Sequence, residues 1–408
     1  MKNILILDWS QEWRGYILDA SRELGLNVYL ILDRDRKLPD DIVDVYIIKD
    51  LYVNPVQWKD KICEFAVKSN IDGVFTNEDE LSELASHIAK ELKLVGPSPK
   101  SVRISMNKWE TRNHLSKYNI PMPKYRKAST YDEFKEAVYD LGLPLVVKPI
   151  DGNFSMGASK VENLSELGSA WYTAYKATED SPSLTREVIV EEYLDDEGRV
   201  ITFESAIIDN IIYPVAITEE LQFSIVKNNC KQFLYHGGLV PARVNTSISN
   251  DIIKVSTEIL NALELNNVIT HIEYKITKDG VRLLEVNPRM AGGFVPVLCK
   301  MALGIDLAKV ALNIAMGDKP VIKKQKIKYV GIKYYQVLKE GVVTNILGKN
   351  EMLNSPYVVD GNIIIKKGDY VKIGELPCLA YVITQHTNPE SALENSKKAL
   401  SKLIINIE

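Results

Sequence analysis

The sequence is poor in cysteine and in long hydrophobic runs. Only four cysteines occur among 408 residues, without a CxxC pair: Cys63, Cys230, Cys299 and Cys378. This spacing argues against a disulfide framework or a cysteine zinc site and predicts reduced thiols in a cytoplasmic protein. The first apolar run, ILIL, is followed at once by Asp8, which predicts a first strand and not a signal peptide. No run has the length of a membrane span, so we expect no membrane partner.

An excess of positive charge is also missing. The net charge is −4 and the isoelectric point is about 5.9, so composition gives no electrostatic case for binding nucleic acid. Two glycine-rich nucleotide signatures are absent as well. No GxGxxG follows the first strand, where the chain reads DWSQEWRG, and no GxxxxGK[ST] occurs. Dinucleotide binding through that fingerprint and a P-loop are therefore unsupported.

The rest of the composition is ordinary for a globular protein, with 46% hydrophobic and 25% charged residues. A chain of this length exceeds one ordinary core, and about two to four domains are expected. Strand and helix signals alternate over residues 1–97, which predicts a doubly wound parallel sheet. A breaker cluster at Val95–Ser101 marks its end, and one helix is predicted from there to just before Pro121.

The stretch THIEYKITKDGVRLLEVNPRMAGG, residues 270–293, predicts a hairpin that brings two carboxylates together. Apolar and polar residues alternate on both sides of a turn signal, Lys278-Asp279-Gly280. A three-residue loop places Ile272 opposite Val286, Tyr274 opposite Leu284, His271 opposite Asn287 and Glu273 opposite Glu285. A two-residue Asp279-Gly280 loop would put the glutamates on opposite faces and mismatch the apolar residues, so we reject it.

Two carboxylates at directly opposed positions, with Cβ atoms about 5 Å apart, destabilise a hairpin unless something compensates. Mg²⁺ is suited to this, because it is typically held by one or two carboxylates together with substrate phosphates. Asn287 adds a third oxygen, and Arg289 supplies a planar donor fork that suits phosphate. The alternative is a solvated hairpin face with scattered salt bridges.

Two further elements are compatible with a nucleotide site. Lys148 ends the strand-like run LVVK and is followed by a loop of small residues, Gly152–Gly157, which can enclose a phosphate. A second strand ends in Glu191-Glu192-Tyr193-Leu194, which offers backbone groups and an apolar wall to a purine. Each alone has an ordinary alternative, a simple hairpin for the first and a strand with two surface acids for the second.

In this order and spacing, the three elements resemble the ATP-grasp superfamily, and within it the L-amino acid ligases that form dipeptides. The resemblance implies an α/β fold of four parts. These are an N-terminal Rossmann-like pre-ATP-grasp domain (1–97), a small lid region (98–190), a central α+β domain with the metal and substrate site (191–320), and a C-terminal α+β subdomain (321–408). It also implies ATP and Mg²⁺ as cofactors, with Mn²⁺ as a substitute.

The resemblance assigns roles to residues that match the family's motifs. Phosphate contacts fall on Lys108 and Lys148, and the loop over the phosphates on Ser155, Met156 and Gly157. The adenine hinge falls on Glu191, Glu192, Tyr193 and Leu194, and Glu197 is the nearest match to the acid that holds the ribose. The metal ligands are Glu273, Glu285 and Asn287, and Arg289 matches the arginine that steadies the transferring phosphate.

The reaction implied by the resemblance joins a carboxylate to an amine. ATP converts the carboxylate to an acyl phosphate, the amine attacks, and an amide, ADP and phosphate are released. The expected substrates are amino acids, with no nucleic-acid partner and a homodimer as the expected assembly.

Several residues are candidates for the substrate side of the site. His271 acts as a base or orients a substrate, or else is only hydrogen bonded in a polar strand face. Glu204 binds an amino group, or else faces solvent. Gly292 and Gly293 precede a helix start whose backbone N–H groups suit a carboxylate. His236 is a further candidate; relatives often carry a histidine at the position of Gly238.

Three alternatives stay open. A purine-pathway ligase acting on a phosphorylated sugar amine requires a basic cluster near the hairpin, for which Lys227, Lys231 and Arg243 are the candidates. A nicotinamide-dependent dehydrogenase is opposed by the missing glycine fingerprint. A non-catalytic nucleotide-binding module is opposed by the intact pair of metal acids.

Overall fold

The computed structural model describes residues 1–152, 155–180, 185–195, 199–227, 229–324, 328–373 and 379–408. Within these ranges the strands form a parallel four-stranded sheet, a large twelve-stranded sheet and a small three-stranded sheet. The cysteines in them, Cys63, Cys230 and Cys299, are free and buried, and Cys378 lies outside. None of the helices in these ranges is both long and apolar enough to span a bilayer.

The N-terminal unit is the predicted doubly wound parallel sheet. Its strands run in the order β3-β2-β1-β4, and all three neighbouring pairs are parallel. The elements are β1 (Asn3–Leu7), α1 (Gln11–Glu23), β2 (Asn27–Leu32), β3 (Ile42–Ile47), α2 (Lys59–Lys68), β4 (Gly73–Phe75) and α3 (Asp79–Glu91). Strand order reverses between β1 and β4, the position where open α/β sheets form a ligand crevice at the carboxyl ends of their strands.

The next segment departs from the prediction of one helix before Pro121. It forms two helices, because Asn107 adopts an extended conformation and its side chain accepts a hydrogen bond from the Glu110 N–H, which caps the second helix. The elements here are α4 (Pro99–Met106), α5 (Lys108–Leu115), β5 (Tyr125–Ala128), α6 (Tyr131–Leu141), β6 (Leu145–Pro149), β7 (Ser159–Val161), α7 (Leu167–Asp180) and β8 (Val188–Glu192).

The central segment supplies the long strands of the large sheet. Its elements are β9 (Arg199–Ile208), β10 (Ile211–Lys227), β11 (Cys230–Val240), α8 (Thr246–Ala262), β12 (Val268–Thr277), β13 (Gly280–Asn287), α9 (Val295–Leu303) and α10 (Leu307–Ala315). The order along the sheet is β13-β12-β9-β10-β11-β7-β6-β8-β5. This order places the hairpin at one end of the sheet and the strands of Lys148 and Glu191 toward the other.

The C-terminal segment extends this sheet from the side of β11. Its elements are β14 (Tyr329–Tyr334), β15 (Gly341–Leu347), α11 (Lys349–Leu353), β16 (Val358–Ile363), β17 (Tyr370–Val371), β18 (Ala380–His386), α12 (Pro389–Leu400) and β19 (Ile404–Ile407). β14 pairs with both β11 and β18, whereas β15 pairs with β17 and β19 in the small sheet. The last helix, α12, ends at Leu400, and the short strand β19 follows it.

The turn of the β12–β13 hairpin is shorter than predicted. Thr277 pairs with Gly280, so the strands turn through two residues, Lys278 and Asp279. The predicted three-residue loop is therefore wrong. Gly280 adopts a positive φ of 106° at the first position after the turn, a conformation that glycine tolerates without strain.

A β-bulge restores the register that the short turn would have lost. Tyr274 pairs with Leu283 instead of Leu284, and the register then shifts so that Glu273 pairs with Glu285. One extra residue on β13 moves every later side chain to the other face. The predicted opposition of the two glutamates is confirmed, but a bulge and not the loop length produces it.

Candidate functional site

One face of the large sheet carries most of the polar residues predicted for the site. Side chains alternate along a strand, so directly paired residues share a face. His271 pairs with Asn287 on one side and with Glu204 on the other, and Glu273 pairs with Glu285. Glu204, His271, Glu273, Glu285 and Asn287 therefore lie on the same face of three adjacent strands, which we name the acid face.

The acid face continues onto β10, where it includes a glutamate that sequence reasoning missed. The Thr218 and Thr202 side chains meet across the strands at 2.6 Å, and Glu220 lies two residues further along the same face as Thr218. Burial raises the pKa of Glu220 to about 7, and the nearby charge of Glu273 adds to the effect. The alternation of side chains along β10 was visible in the sequence. Only the pairing of β10 with β9 shows which of its two sets of side chains lies on the acid face.

His271 lies between two carboxylates. Its Nδ1 is 2.8 Å from Oε1 of Glu204, and its Nε2 is 3.4 Å from Oε1 of Glu273. Burial by itself would lower the pKa of His271, but the two carboxylates raise that pKa well above its ordinary value. The ring is therefore an imidazolium near neutral pH, which orients the two acids but cannot accept a proton.

Glu204 is fully buried, so the alternative that it faces solvent is wrong. Its Oε1 accepts a hydrogen bond from the Thr202 hydroxyl at 2.7 Å in addition to its contact with His271. Its Oε2 is buried and has no hydrogen-bond partner among the described residues. A buried, unpaired carboxylate oxygen is costly, and a cationic group of a ligand is the kind of partner that would satisfy it.

Lys108 joins the hairpin to the loop after β6. The Asn107 cap places it at the first position of α5, where its backbone N–H donates to the Ile150 carbonyl at 2.7 Å. The buried Lys108 ammonium donates to the Gly152 carbonyl at 2.6 Å and lies 3.3 Å from Oε1 of Glu285. A positive charge is thus fixed beside one acid of the hairpin pair.

Lys148 and Arg112 share the buried carboxylate of Glu191. Lys148 Nζ is 2.7 Å from one oxygen of Glu191, and Arg112 Nε donates to the other at 2.9 Å. Arg112 also donates to the carbonyl of Leu284, the bulged residue of β13, at 2.6 Å. Although burial opposes it, Arg112 and Lys148 lower the pKa of Glu191 to about 2. Arg112 was not predicted, and no local pattern marks it.

Arg289 is held by the N-terminal unit. Its Nε and Nη2 donate to the two carboxylate oxygens of Asp79 at 2.6 and 2.8 Å, and its Nη1 donates to the Met290 carbonyl at 3.0 Å. Asp79 is the first residue of α3, and three residues separate it from the carboxyl end of β4 at Phe75. A guanidinium has five N–H donors, so the bidentate pair with Asp79 and the bond to the Met290 carbonyl together leave two of them for a ligand.

The predicted lid loop forms a turn between β6 and β7. Gly157 has a positive φ of 72°, and a Cβ there would come within 2.6 Å of the Ala177 Cβ, so the turn requires glycine. Ser155 lies within hydrogen-bonding reach of the Tyr235 hydroxyl, which lies near Glu273 and Glu220 of the acid face. Met156 is 44% exposed. The loop thus lies at the edge of the acid face.

The part of the chain that carries the acid face matches a known domain family. Residues 141–297 match the model of the ATP-grasp domain. The chain carries an ATP-grasp domain. The range begins before Lys148 and ends after Arg289, so it includes the hairpin and the hinge strand.

A solved structure of an L-amino acid ligase from Bacillus licheniformis superposes with a TM-score of 0.82 at 21% identity, covering 100% of this chain and 99% of that one. The carbamoyl phosphate synthase large chain of Caldanaerobacter subterraneus is 28% identical over 66% of this chain. The formate-dependent phosphoribosylglycinamide formyltransferase of Prochlorococcus marinus is 26% identical over 99% of this chain and 97% of its own length.

The overall α/β fold is therefore the ATP-grasp fold, as the sequence predicted. Some relatives are longer than this chain, which spans 24% of the Caldanaerobacter synthase and 64% of an uncharacterised protein from Sinorhizobium fredii. A shared domain and fold establish the ATP-grasp assignment, and the reaction catalysed is a separate question.

The acid face of the ATP-grasp domain fits a magnesium ion that is shared with a phosphate ligand. Glu273 and Glu285 are directly opposed and only partly buried, with side chains 18% and 23% exposed. Asn287 projects from the same face. In the described ranges no group of three or more His, Cys, Asp and Glu side chains is arranged to hold a metal by itself. Two carboxylates are sufficient when phosphate oxygens complete the shell.

The predicted adenine hinge lies beside Lys160 and Arg282. Arg282 Nη1 donates a hydrogen bond to the Glu192 carboxylate at 3.1 Å. Leu194 is buried, and the Lys160 ammonium lies 3.8 Å from the centre of the Tyr193 ring. Glu197, the nearest match to a ribose-binding acid, lies outside the described residues. The roles of these hinge residues stay predictions.

The structure does not bring His236 together with the acid face. Its ring makes an edge contact with Phe223, with centroids 5.3 Å apart. Burial lowers the pKa of His236 to about 4, and the nearby charge that adds to this shift is that of Lys333. His236 is the extra residue of a bulge, since its neighbours Tyr235 and Gly237 pair with Gln222 and Leu221. Its grouping with the substrate residues is not supported by this geometry.

The predicted carboxylate-binding glycines precede α9, which begins at Val295. A Cβ added to Gly292 would meet no atom within 4 Å, and one added to Gly293 would approach only the Tyr334 hydroxyl, at 3.9 Å. Open space therefore adjoins both backbones. Their role in binding a carboxylate stays a prediction.

Proposed function

We propose that this protein is an ATP- and Mg²⁺-dependent ligase that joins a carboxylate to an amine through an acyl phosphate, with amino acids as substrates. The observation that carries the proposal is the opposition of Glu273 and Glu285 on one face with Lys108, which is 3.3 Å from Glu285. Opposed carboxylates are unfavourable in an empty hairpin. They are suited to a dication that also contacts a polyphosphate.

The residues of the chain have separable tasks in this reaction. Glu273, Glu285 and Asn287 would hold Mg²⁺, which supplies charge neutralisation on the phosphates when it is bound. Lys108 and Lys148 provide fixed positive charge, because positioning and electrostatics supply nearly all of the catalysis in phosphoryl transfer.

Arg289 provides further donors from a fixed orientation. Asp79 holds its guanidinium through two hydrogen bonds, so Arg289 needs little reorganisation when a phosphoryl group arrives. The turn around Ser155 would cover the phosphates and limit hydrolysis of the acyl phosphate by water.

His271 is better suited to orienting groups than to acting as a base. Because Glu204 and Glu273 keep it protonated, it cannot take a proton from an incoming ammonium. Glu220 is suited to acid–base chemistry, because its pKa is raised to about 7, within the physiological range. Glu204 and Glu220 line the acid face with carboxyl oxygens that would favour the amino group of an amino acid.

The support for amino acids as substrates is the pairing of these carboxyl groups with the glycines before α9. An amino acid presents one cationic and one anionic group, and the acid face offers carboxylates while Gly292 and Gly293 offer backbone N–H groups beside open space. The fold of the Bacillus ligase, which covers nearly all of both chains, agrees with this choice.

A purine-pathway ligase is the second candidate, favoured by the formyltransferase relative, which matches over nearly its whole length. It requires free cations for a substrate phosphate near the hairpin. Lys227 donates to the Ile373 carbonyl at 2.8 Å, Lys231 is bound to Glu162, and Arg243 is bound to Glu219. Because all three are engaged elsewhere, we favour amino acids.

The proposal is tested by measuring phosphate release from ATP with pairs of amino acids, with mass spectrometry of the products. We expect an amide product for at least one pair and a loss of at least about a hundredfold in rate for Glu285→Gln, the scale of losing one electrostatic contact in the transition state. Glu258→Gln, on the exposed surface of α8, is the matched control and should retain full activity. Turnover by Glu285→Gln at the wild-type rate would remove the metal assignment.

A further inference from the structure

A cavity of about 720 Å³ lies on the opposite side of the large sheet from the acid face. It is lined by α12, the ends of β14 and β18, Leu221 of β10 and Tyr357. Leu221 follows Glu220, so the two side chains leave opposite faces of β10. Leu221 and Lys333 both pair with Gly237, which places Lys333 on the cavity side as well. The cavity is therefore distinct from the proposed catalytic site.

The ammonium groups of two lysines in this cavity have no acid partner among the described residues. Neither Lys333 Nζ nor Lys397 Nζ makes a salt bridge or hydrogen bond with a residue in the described ranges, although both side chains line the cavity. Lys333 is half-buried. Burial lowers the pKa of Lys333 to about 8, and the positive charge of Lys397 contributes to this shift. The two ammonium groups are thus close enough to repel each other.

The other charged groups of the cavity do not neutralise this pair. Arg243 is bound to Glu219, which lies behind it on β10, and Lys398 lies 3.6 Å from Glu394 one turn earlier in α12. Glu390 acts on Arg243, and the causes of the lowered Lys333 pKa are burial and Lys397, with no acid to oppose them. Desolvating a lysine beside a second cation is unfavourable unless a ligand supplies negative charge.

The wall of the cavity shows a second unusual feature. Tyr357 adopts a φ of 67°, a left-handed conformation that is rare and unfavourable for a bulky side chain. Its ring makes an edge contact with His386, with centroids 5.0 Å apart. Strain of this kind clusters at sites that bind ligands, and both rings of the pair line the cavity.

We propose that this cavity is a binding site for a small organic anion that carries a phosphoryl group. Lys333 and Lys397 would contact the phosphoryl oxygens, and Leu221, Tyr357 and His386 would contact the remainder of the molecule. The volume falls within the range of ligand pockets, about 300 to 1,000 Å³, and exceeds what a lone inorganic anion needs. The site is independent of the proposed ligase reaction.

Competitive acetylation tests the site residue by residue. The intact protein is treated with a trace of acetic anhydride, with and without inorganic pyrophosphate at matched ionic strength, and the label on each lysine is measured by mass spectrometry. An anion at Lys333 raises the pKa of its amine, so pyrophosphate should reduce the labelling of Lys333 and Lys397 by at least about threefold, the scale of one modest charge interaction. Lys254, exposed on α8, is the internal control and should not change.

A variant separates local binding from a general effect of the anion. In Lys397→Gln the pyrophosphate concentration that half-protects Lys333 should rise by about threefold to fivefold, as expected for the loss of one exposed charge. Lys254→Gln should leave that protection intact. Equal labelling of Lys333 with and without pyrophosphate, or equal protection of Lys254, would overturn the proposal, and neither outcome bears on the proposed ligase activity.

Discussion

Replacing Glu191 by glutamine is expected to destabilise the protein by about 3 to 5 kcal/mol, the cost of leaving buried charges without their partner. Glu191 and Arg112 are almost completely buried, with side chains 3% and 1% exposed, and Lys148 is 16% exposed. Glutamine keeps the shape of the side chain and one acceptor, so the change isolates the charge. Two cations that share one carboxylate would then repel each other without compensation.

The same carboxylate makes the stability of the protein depend on pH. Arg112 and Lys148, working against burial, lower its pKa from 4.5 to about 2, which corresponds to roughly 3 kcal/mol. Because the folded-state pKa is depressed, this stabilisation is present above about pH 4.5 and is lost as the pH falls toward about 2. The loss of the Glu191 charge, by substitution or by protonation, is therefore expected to cost a similar amount.

Urea unfolding followed by tryptophan fluorescence and circular dichroism measures both effects. Near neutral pH, Glu191→Gln should unfold at clearly lower urea than wild type, whereas Glu258→Gln, on an exposed helical surface, should not. On acidification, the difference between Glu191→Gln and wild type should shrink as wild type loses the same interaction. A variant within about 1 kcal/mol of wild type near neutral pH would refute the reasoning, since that is the scale of an exposed ion pair.

Two further predictions follow from single side chains. In a ¹⁵N spectrum of labelled histidines near pH 6, His271 should be an imidazolium, because Glu204 and Glu273 raise its pKa against the effect of burial. His236 should be neutral in the same spectrum, because burial lowers its pKa to about 4. A neutral His271 would contradict the arrangement of its two carboxylates. Gly157→Ala should lower thermal stability and nucleotide affinity, because the added Cβ would come within 2.6 Å of Ala177 at a φ of 72°. The control Gly168→Ala, whose Cβ would meet no atom within 4 Å, should be neutral or slightly stabilising. Equal behaviour of the two variants would contradict the close contact.

The parts of the fold that the sequence predicted are those with strong local periodicity. The parallel N-terminal sheet and the β12–β13 hairpin each show a regular apolar pattern within a single stretch of chain. The pairing of Glu273 with Glu285 was predicted for the same reason. Its turn was not, because a two-residue turn with a bulge at Leu284 gives the same pairs from Glu273 to His271 as a three-residue turn without one.

Other features of the site depend on which strands become neighbours. Glu220 joins the acid face only because β10 pairs with β9, and His236 leaves it only because a bulge falls at that residue. Neither fact is encoded in alternation along one strand. The burial of Glu204 likewise follows from the coverage of β9 by strands on both sides, which a strand-like sequence cannot reveal by itself.

The contacts that fix the cations of the site all join distant parts of the chain. Asp79 of the N-terminal unit orients Arg289, Arg112 of α5 supports both Glu191 and the bulged Leu284, and Lys108 connects Glu285 with the Gly152 carbonyl. Each contact leaves a positive charge fixed and partly compensated before any ligand arrives. Because a preorganised charge needs little reorganisation during phosphoryl transfer, packing between the units is itself part of the proposed catalytic apparatus. Spacing within the sequence could predict which residues carry the charges, but only the assembled fold shows what holds them in position.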